Sequence, residues 1–303
     1  MGNPKNKTIG IVGGGQLGRM TILEARKMDI RVIVLTPEHP SPASDIADDY
    51  IIGSLYDEDK IRELASKCDI LTYEIEHINV AVLEEIEKSG KIVNPSAKVL
   101  KVIQDKSKQK ALLQANNLPT SNWDYINNDN LKDMINKYGY PVVQKSCTGG
   151  YDGKGVFVLK SEADIPNMIK GESFFEEYVP FEKEIAIMVA RNARGQVKTY
   201  PLVDMEFDPT TNMCDITVCP AKVSKEVEEK AKEIATKAIE ALDGYGIFGV
   251  EMFLTKDGEI LINEVAPRPH NSGHYTIEGC YTSQYEQYLR AIMNLPLGAT
   301  DYI

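Results

Sequence analysis

Two glutamates, Glu251 and Glu264, are spaced to face each other if the chain between them forms a β-hairpin. An Asp-Gly dipeptide at 257–258 separates two strand-like runs, and this dipeptide favours a two-residue type I′ turn. Counting outward from such a turn pairs Lys256 with Glu259 and places Glu251 directly opposite Glu264. Directly paired residues project from the same face of a sheet, with Cβ atoms about 5 Å apart. The sequence therefore predicts two carboxylates side by side.

Adjacent carboxylates on such a face need a compensating charge. They repel by about 3 kcal/mol at an effective dielectric near 20, and the neighbours expected on that face, Phe253, Ile260 and Ile262, are apolar. A divalent cation removes the repulsion, and hard oxygen ligands favour Mg²⁺. A neighbouring lysine, or a proton shared by the pair, is the alternative. We interpret Glu251 and Glu264 as metal ligands.

The segment after the second glutamate carries further polar groups on an irregular loop. It reads VAPRPHNSGH at 265–274, and its prolines and glycine argue against regular structure. The planar guanidinium of Arg268 matches a carboxylate or bicarbonate bidentately. Asn271 offers a third oxygen to the metal, and we interpret His270 as a substrate contact.

A glycine-rich loop, CTGGYDGKG at 147–155, lies between two predicted strands. It is not a P-loop, because Thr148 stands where that motif needs glycine and Gly155 where it needs serine or threonine. A hairpin with Lys154 at its tip and Lys145 in the entering strand can fold over a polyphosphate. A surface hairpin with no role is the alternative.

A second glycine pattern, GxGxxG, is formed by Gly13, Gly15 and Gly18 between a strand and a helix. Such a turn lets backbone N–H groups at the helix start face a phosphate. Glu38 lies near the position of the ribose-binding acid in nicotinamide-dependent dehydrogenases, but it sits in a proline-rich turn. A tight turn that binds no ligand is a further alternative.

The segment FFEEYVP at 174–180 predicts a buried strand that runs into a connector. Connectors of this kind can bind adenine through backbone groups, with Glu184 then free for ribose hydroxyls. A plain linker between subdomains is an equal alternative.

The elements that position these residues fall into two regions. Up to about residue 103, short apolar strands alternate with helices, which predicts a doubly wound, mostly parallel α/β sheet. From residue 104 onward, paired strands surround the two motif-bearing hairpins. There Ser224 begins a helix with an apolar stripe of Val227, Ala231, Ile234, Ala238 and Leu242, which ends at Gly244.

Composition limits the function classes. The 303 residues carry a net charge of −11, which argues against nucleic-acid binding. No apolar run approaches the length of a membrane span, and the N-terminus is no signal peptide, so we expect a cytoplasmic protein. Five scattered cysteines predict reduced thiols and no zinc site.

Together these motifs resemble the ATP-grasp superfamily, and within it the N5-carboxyaminoimidazole ribonucleotide synthases. The resemblance covers essentially the whole chain and rests on separated motifs: GGGQLGRM (13–20), YEIEH (73–77), TGGYDGKG (148–155), INEVAPRPHNSGH (262–274) and SQYEQYLRAI (283–292). It implies an ATP-grasp fold, mixed α/β and α+β, preceded by a Rossmann-like domain. The expected units are an N-terminal domain (1–103), a lid (104–180) and a central subdomain (181–303).

The resemblance also implies roles for individual residues. ATP would be held by Lys106, Lys145, Gly149, Gly150, Glu176, Glu177, Val179 and Glu184, and Mg²⁺ by Glu251, Glu264 and Asn271. The ribonucleotide and the carboxyl group would be surrounded by Gly15, Gln16, Leu17, Glu74, Tyr151, Asp152, Lys154, Arg268, His270, Asn271 and Ser272. Of these, Tyr151, Asp152, Lys154, Arg268 and His270 would be catalytic, with Asp152 as the base.

The implied reaction carboxylates 5-aminoimidazole ribonucleotide with ATP and bicarbonate, in a homodimer that binds neither nucleic acid nor membranes. A formyltransferase-like ATP-grasp ligase, a dehydrogenase and a non-catalytic nucleotide sensor are the alternatives. Members of the family usually continue past the position of Ile303 with a small domain that helps bind the substrate phosphate. We therefore expect that domain to be missing here.

Overall fold

The structure, a computed structural model, describes residues 7–150, 155–208 and 214–303. Its described strands form three sheets: a parallel N-terminal sheet, an antiparallel sheet that we call the lid sheet, and a larger antiparallel central sheet. The combination of one parallel and two antiparallel sheets confirms the mixed fold class.

The N-terminal sheet has the strand order β3-β2-β1-β4-β5, and all its pairs are parallel. Its strands are β1 (Thr8–Val12), β2 (Arg31–Thr36), β3 (Asp49–Ile52), β4 (Ile70–Tyr73) and β5 (Ile92–Val93). Its helices are α1 (Gln16–Lys27), α2 (Glu58–Lys67), α3 (Val80–Lys88) and α4 (Ala97–Ile103). The predicted doubly wound parallel sheet is therefore confirmed. Helix α1 begins at Gln16, inside the GxGxxG pattern.

The lid sheet has the order β6-β9-β7-β8 and is antiparallel throughout. It contains β6 (Trp123–Ile126), β7 (Val142–Ser146), β8 (Val156–Leu159) and β9 (Ser173–Glu177), and α5 (Lys106–Ala115) precedes it. Helix α6 (Leu131–Tyr138) and a 3₁₀ turn (Glu162–Asn167) complete this part. The glycine-rich loop joins β7 to β8, as the hairpin prediction required, with Lys145 opposite Val156.

The central sheet has the order β13-β12-β10-β14-β15, with β11 added beside β10. Its strands are β10 (Phe181–Arg191), β11 (Val197–Thr199), β12 (Val203–Phe207), β13 (Cys214–Val218), β14 (Gly246–Thr255) and β15 (Ile260–Ala266). The helices of this part are α7 (Lys225–Leu242), α8 (Thr276–Gly279) and α9 (Gln284–Ile292), with a 3₁₀ turn at Asn271–Gly273.

Helix α7 covers one face of the central sheet with its apolar stripe. Its side chains Ala231, Ile234 and Leu242 are buried in one core with residues of β10, β14 and β15. The Ser224 side chain accepts a hydrogen bond from a backbone N–H in the first turn, so the predicted cap is confirmed. The last helical residue is Leu242, and its C-cap Asp243 adopts the left-handed conformation at φ 53°, so the helix stops before the predicted Gly244.

The β14–β15 hairpin pairs Glu251 with Glu264 as predicted, but by a different route. The prediction of a two-residue turn is wrong, because Thr255 and not Lys256 lies opposite Glu259. The Thr255 N–H donates to the Glu259 carbonyl at 2.9 Å. The loop therefore has three residues and ends on Gly258 at φ 78°, which is typical of a type I turn followed by a G1 bulge.

A second irregularity restores the register. Met252 pairs with Ile262, whereas Glu251 pairs with Glu264. Asn263 is therefore an extra residue on β15, which forms a β-bulge. The Ile262 N–H donates to the Pro119 carbonyl at 2.8 Å, and the Ile262 carbonyl accepts from Thr120 Oγ1 at 2.8 Å. The segment between α5 and β6 thus binds the strand beside the bulge. Phe253 consequently pairs with Leu261 and not with Ile262 as the predicted register required.

The N-terminal sheet packs directly onto the central part of the molecule. Ile9 and Ile11 of β1 share a buried core with Met188 of β10 and Leu289 of α9. The Tyr288 hydroxyl donates to the Tyr73 carbonyl at the end of β4, at 3.0 Å. Among the described helices, none is both long and apolar enough to span a bilayer.

Candidate active site

A cleft of about 470 Å³ lies between the lid sheet, the central sheet and the segment after β4. Its walls include residues after β4, the start of α5, the lid strands β7 to β9, and the β14–β15 hairpin. Most of the residues predicted to bind ligands line it: Lys106, Lys145, Gly149, Gly150, Glu176, Glu177, Val179, Glu184, Glu251, Glu264, Arg268, His270 and Asn271. A cleft of this size suits a small-molecule ligand.

The paired glutamates form the acidic wall of the cleft. Glu264 forms an ion pair with Lys106, which lowers the pKa of Glu264 even though burial acts in the opposite direction. Among the described residues Glu251 forms no ion pair with a lysine, and its Oε1 lies 3.3 Å from His270 Nε2. Burial and the adjacent Glu264 raise the pKa of Glu251 to about 8. The lysine alternative is thus realised for Glu264, whereas the raised pKa of Glu251 favours a proton on that carboxylate near pH 7.

These oxygen donors fit a magnesium ion that also keeps bound waters or binds substrate phosphates. Glu251, Glu264 and Asn271 all line the cleft. In the part of the chain that the structure describes, no cluster of three His, Cys, Asp or Glu residues could hold a metal by itself. Mg²⁺ is commonly bound by one or two carboxylates together with waters and substrate phosphates. The raised pKa of Glu251 shows that a second negative charge beside Glu264 is unfavourable in this site, and a bound cation would relieve that repulsion.

Lys145 is fixed between two sheets. Its Nζ lies 2.5 Å from Glu176 Oε2 in the lid sheet and donates to Asn263 Oδ1 of the central sheet at 2.9 Å. Asn263 is the bulged residue of β15, so the irregularity of that strand aims an amide oxygen at the lysine. The sequence does not predict this role for Asn263, because no local pattern distinguishes a bulge from a regular strand.

Glu176 is buried beneath this wall of the cleft. Its carboxylate also forms an ion pair with Lys110 and accepts a hydrogen bond from Ser121 Oγ. Burial alone would raise its pKa, but Lys145 and Lys110 outweigh burial and lower the pKa to about 2. The Glu176 side chain is therefore engaged inside the protein. The contact with Lys110 joins residues 66 positions apart. No local sequence pattern therefore predicts this role for Lys110.

The connector after β9 borders the other end of the cleft. Val179 is buried, whereas Glu177 is exposed and its carboxylate accepts from Asn122 Nδ2 at 2.7 Å. The rings of Phe181 and Phe253 stack with centroids 4.7 Å apart at this end. Glu184 lines the cleft nearby, and burial raises its pKa to about 7.

The GxGxxG turn already holds a carboxylate of its own chain. The backbone N–H groups of Gly15 and Gly18 donate to Glu74, which follows β4. A Cβ on Gly13, whose φ is 126°, would lie 2.4 Å from Glu74 Cγ, so the close approach requires glycine. The expectation that these N–H groups face a phosphate is wrong for Gly15 and Gly18. A helix N-terminus favours any anion, and here that anion is Glu74. Gln16 remains exposed and Leu17 half-buried.

The loop after β15 is held by polar contacts on both sides. Arg268 Nε lies 2.8 Å from Glu76 Oε1, so its guanidinium is already paired with a carboxylate that also lines the cleft. His270 Nδ1 lies 2.8 Å from the hydroxyl of buried Ser272. Burial and nearby Arg268 lower the pKa of His270 to about 3, so its imidazole is neutral. His274 contacts the Tyr285 hydroxyl at 3.0 Å.

Three predicted residues, Tyr151, Asp152 and Lys154, lie outside the described residues. The flanking Gly149 and Gly150 line the cleft, and Gly149 has a φ of 75°.

Comparison with known proteins identifies the family to which this cleft belongs. The ribonucleotide synthetase preATP-grasp domain family matches residues 6–104, and the ATP-grasp domain family matches residues 111–285. The N5-carboxyaminoimidazole ribonucleotide synthase of Bacillus subtilis is 38% identical over 300 residues, covering 97% of this chain and 78% of that protein. The chain belongs to the N5-carboxyaminoimidazole ribonucleotide synthase family of ATP-grasp proteins.

Solved structures of the N5-carboxyaminoimidazole ribonucleotide synthase family share the fold. The Thermotoga maritima protein is 48% identical, with a TM-score of 0.90 over 98% of this chain and 78% of that one. The Aspergillus clavatus protein, solved with ADP and 5-aminoimidazole ribonucleotide, is 36% identical, with a TM-score of 0.92 over 98% and 80%. The chain spans about half the length, 52–55%, of the fungal and plant phosphoribosylaminoimidazole carboxylases it also matches.

Proposed function

We propose that this chain carboxylates 5-aminoimidazole ribonucleotide to N5-carboxyaminoimidazole ribonucleotide, consuming ATP and bicarbonate. The observation that carries the proposal is the convergence of two lysines, two paired glutamates and an arginine in one cleft between the lid and central sheets. The Aspergillus clavatus relative, solved with ADP and 5-aminoimidazole ribonucleotide, supports the same pair of ligands for this chain.

In this proposal ATP lies between the lid and central sheets. The connector at Glu176–Val179 receives the adenine through backbone groups, with Phe253 on the apolar wall, and Glu184 receives the ribose. Lys106 and Lys145 face the phosphates, and the glycines at 149 and 150 cover them. Residues 1–103, 104–180 and 181–303 are the corresponding structural units.

The metal site uses Glu251, Glu264 and Asn271. A Mg²⁺ ion held there would bind phosphate oxygens and supply positive charge against the charge that develops during phosphoryl transfer. Lys106 and Lys145 would neutralise the same charge. Lys106 exchanges its carboxylate partner for phosphate oxygens as the nucleotide enters.

The reaction is proposed to proceed in two steps. A bicarbonate oxygen attacks the γ-phosphorus of ATP and the bond to ADP breaks, which gives carboxyphosphate. Carboxyphosphate then releases phosphate and CO₂, and the exocyclic 5-amino nitrogen bonds to the CO₂ carbon while Asp152 takes the proton. The site must exclude water, because water hydrolyses the mixed anhydride.

The ribonucleotide is assigned to the end of the cleft near the N-terminal sheet. Gly15, Gln16 and Leu17 border its phosphoribosyl end, and Glu74 stays beside the glycine turn. Arg268 and His270, the latter oriented by Ser272, face the aminoimidazole and the carboxyl group, together with Tyr151 and Lys154. We further propose that the chain forms a homodimer and acts in the cytoplasm.

ADP release from Mg-ATP tests this function, measured with bicarbonate in the presence and absence of 5-aminoimidazole ribonucleotide. The proposal expects release that requires both bicarbonate and the ribonucleotide. Release that proceeds equally well with formate in place of bicarbonate would instead favour a formyltransferase-like ligase. The absence of release despite tight Mg-ATP binding would point to another acceptor.

A further inference from the structure

A buried lysine beneath the cleft has no role in the scheme above. Lys110, on α5, is only 3% exposed and does not reach the cleft surface. Its Nζ contacts Glu176 Oε1 and donates to Thr120 Oγ1 at 2.6 Å and to Ser121 Oγ at 2.7 Å. These partners hold the ammonium group in one place.

The partner of Lys110 is shared with a residue of the cleft. The second carboxylate oxygen of Glu176 lies 2.5 Å from the Nζ of Lys145, which lines the cleft. The three side chains therefore form a row of cation, anion and cation, with Glu176 in the middle. The row carries one net positive charge, and that charge reaches the cleft through Lys145.

A buried lysine at this position is costly, because its charge loses hydration. Burial lowers the pKa of Lys110 to about 8, which still leaves the group mainly protonated near pH 7. An apolar side chain in its place would leave Glu176 and Lys145 as a neutral pair. The presence of the lysine therefore changes the net charge of the cleft wall, and that consequence distinguishes it from a simple packing residue.

We propose that Lys110 is a positioning residue for nucleotide phosphates: by sharing Glu176 it prevents that carboxylate from neutralising Lys145. This inference rests on the proposed ATP site. Without Lys110, the Glu176 carboxylate interacts with Lys145 alone, which weakens the attraction of Lys145 for phosphate and draws its Nζ toward the lid. The effect then concerns phosphate groups and leaves the base and ribose contacts in place.

The test compares two ligands that share the nucleoside, one with phosphates and their Mg²⁺ and one with neither. Calorimetric titration with Mg-ADP and with adenosine is performed on the full chain and on the Lys110→Met variant. We expect Lys110→Met to weaken Mg-ADP binding by ~10-fold or more, and adenosine binding by less than ~2-fold, because the lost attraction is electrostatic. The matched control is Lys108→Met on the same helix, whose exposed side chain pairs with Asp105; it is expected to change neither affinity.

Unchanged Mg-ADP binding, or equal losses for both ligands, would overturn the inference, since equal losses indicate a structural defect of the base pocket. A wild-type chain that binds no Mg-ADP would instead overturn the proposed nucleotide site itself, and the inference with it.

A second variant covers the case in which Lys110→Met fails to fold. The double variant Lys110→Met/Glu176→Gln removes one charge of each sign and restores the single positive charge on Lys145. We expect its ratio of Mg-ADP to adenosine affinity to return to within ~3-fold of the wild-type ratio. A ratio at least ~10-fold below the wild-type value in a folded double variant would contradict the charge argument.

Discussion

At the scale of single residues, the site is built from charges that are only partly compensated. Lys106 neutralises Glu264, and Lys145 and Lys110 share Glu176. Glu251 is left next to a like charge, with a neutral imidazole as its neighbour. Such an arrangement destabilises the empty protein, which is common where a site is prepared for a ligand of opposite charge.

The variant Glu251→Gln tests this trade between stability and function. Burial and Glu264 raise the pKa of Glu251 above its unfolded value. At neutral pH the group must therefore take up a proton on folding, which costs stability, and the amide removes that cost. We expect the free energy of unfolding in EDTA to rise by about 1–3 kcal/mol, while Mg-dependent ADP release falls ~100-fold or more. The exposed Glu259→Gln on the same hairpin is the control. A variant that is less stable in EDTA would contradict this account.

At the scale of elements, the β14–β15 hairpin shows how two irregularities cancel. The loop has one residue more than the Asp-Gly dipeptide predicts, and the bulge at Asn263 restores the pairing of the glutamates. The correct pair was therefore predicted from an incorrect turn. The bulge also supplies Asn263 to Lys145, so the same irregularity links the hairpin to the lid sheet.

Substitutions in the loop distinguish the two turn types. In a type I′ turn both central residues have positive φ, whereas here only Gly258 does. We therefore expect Gly258→Ala to lower the free energy of unfolding by about 1–2 kcal/mol, and Asp257→Ala to change it by less than about 0.5 kcal/mol. Urea denaturation measures both. Equal losses for the two variants would support the two-residue turn.

At the scale of the whole molecule, buried ion pairs join parts that are distant in the chain. Glu176 of the lid sheet is bound by Lys110 of α5 and by Ser121 of the following segment, and that segment in turn binds β15. The pKa of Glu176 lies near 2 in the folded protein, below its ordinary value near 4.5. Its ionised form therefore stabilises the fold above about pH 5, and this contribution disappears as the pH falls toward 2.

The pH dependence of unfolding checks this contribution. We expect the wild-type free energy of unfolding to fall more steeply between about pH 5 and pH 2 than that of Glu176→Gln, which has no such group to titrate. The exposed neighbour Glu177→Gln is the control and is expected to retain the wild-type slope. Parallel slopes for wild type and Glu176→Gln would show that the ion pairs contribute nothing to acid stability.

The sequence predicts the elements with a strong apolar period and misses those that depend on distant contacts. Strands β1 and β4 and the stripe of α7 follow from local patterns. No local pattern predicts strand β3, because only Ile51 of its four residues is buried. Asp57, the N-cap of α2, is a local signal for the start of that helix. The sequence predicts a glycine turn open to phosphate, because nothing near the turn indicates that Glu74, 59 residues from Gly15, occupies it. The ion pair between Lys110 and Glu176 cannot be predicted either, because its partners are also distant in the sequence.

The most direct test of the central claim follows the carboxyl carbon itself. The chain is incubated with Mg-ATP, isotopically labelled bicarbonate and 5-aminoimidazole ribonucleotide, and acid-labile label in the ribonucleotide is compared with ADP released. The account predicts equal molar amounts of both, and no label without ATP. ADP release with no labelled ribonucleotide, or label incorporated without ATP, would contradict it.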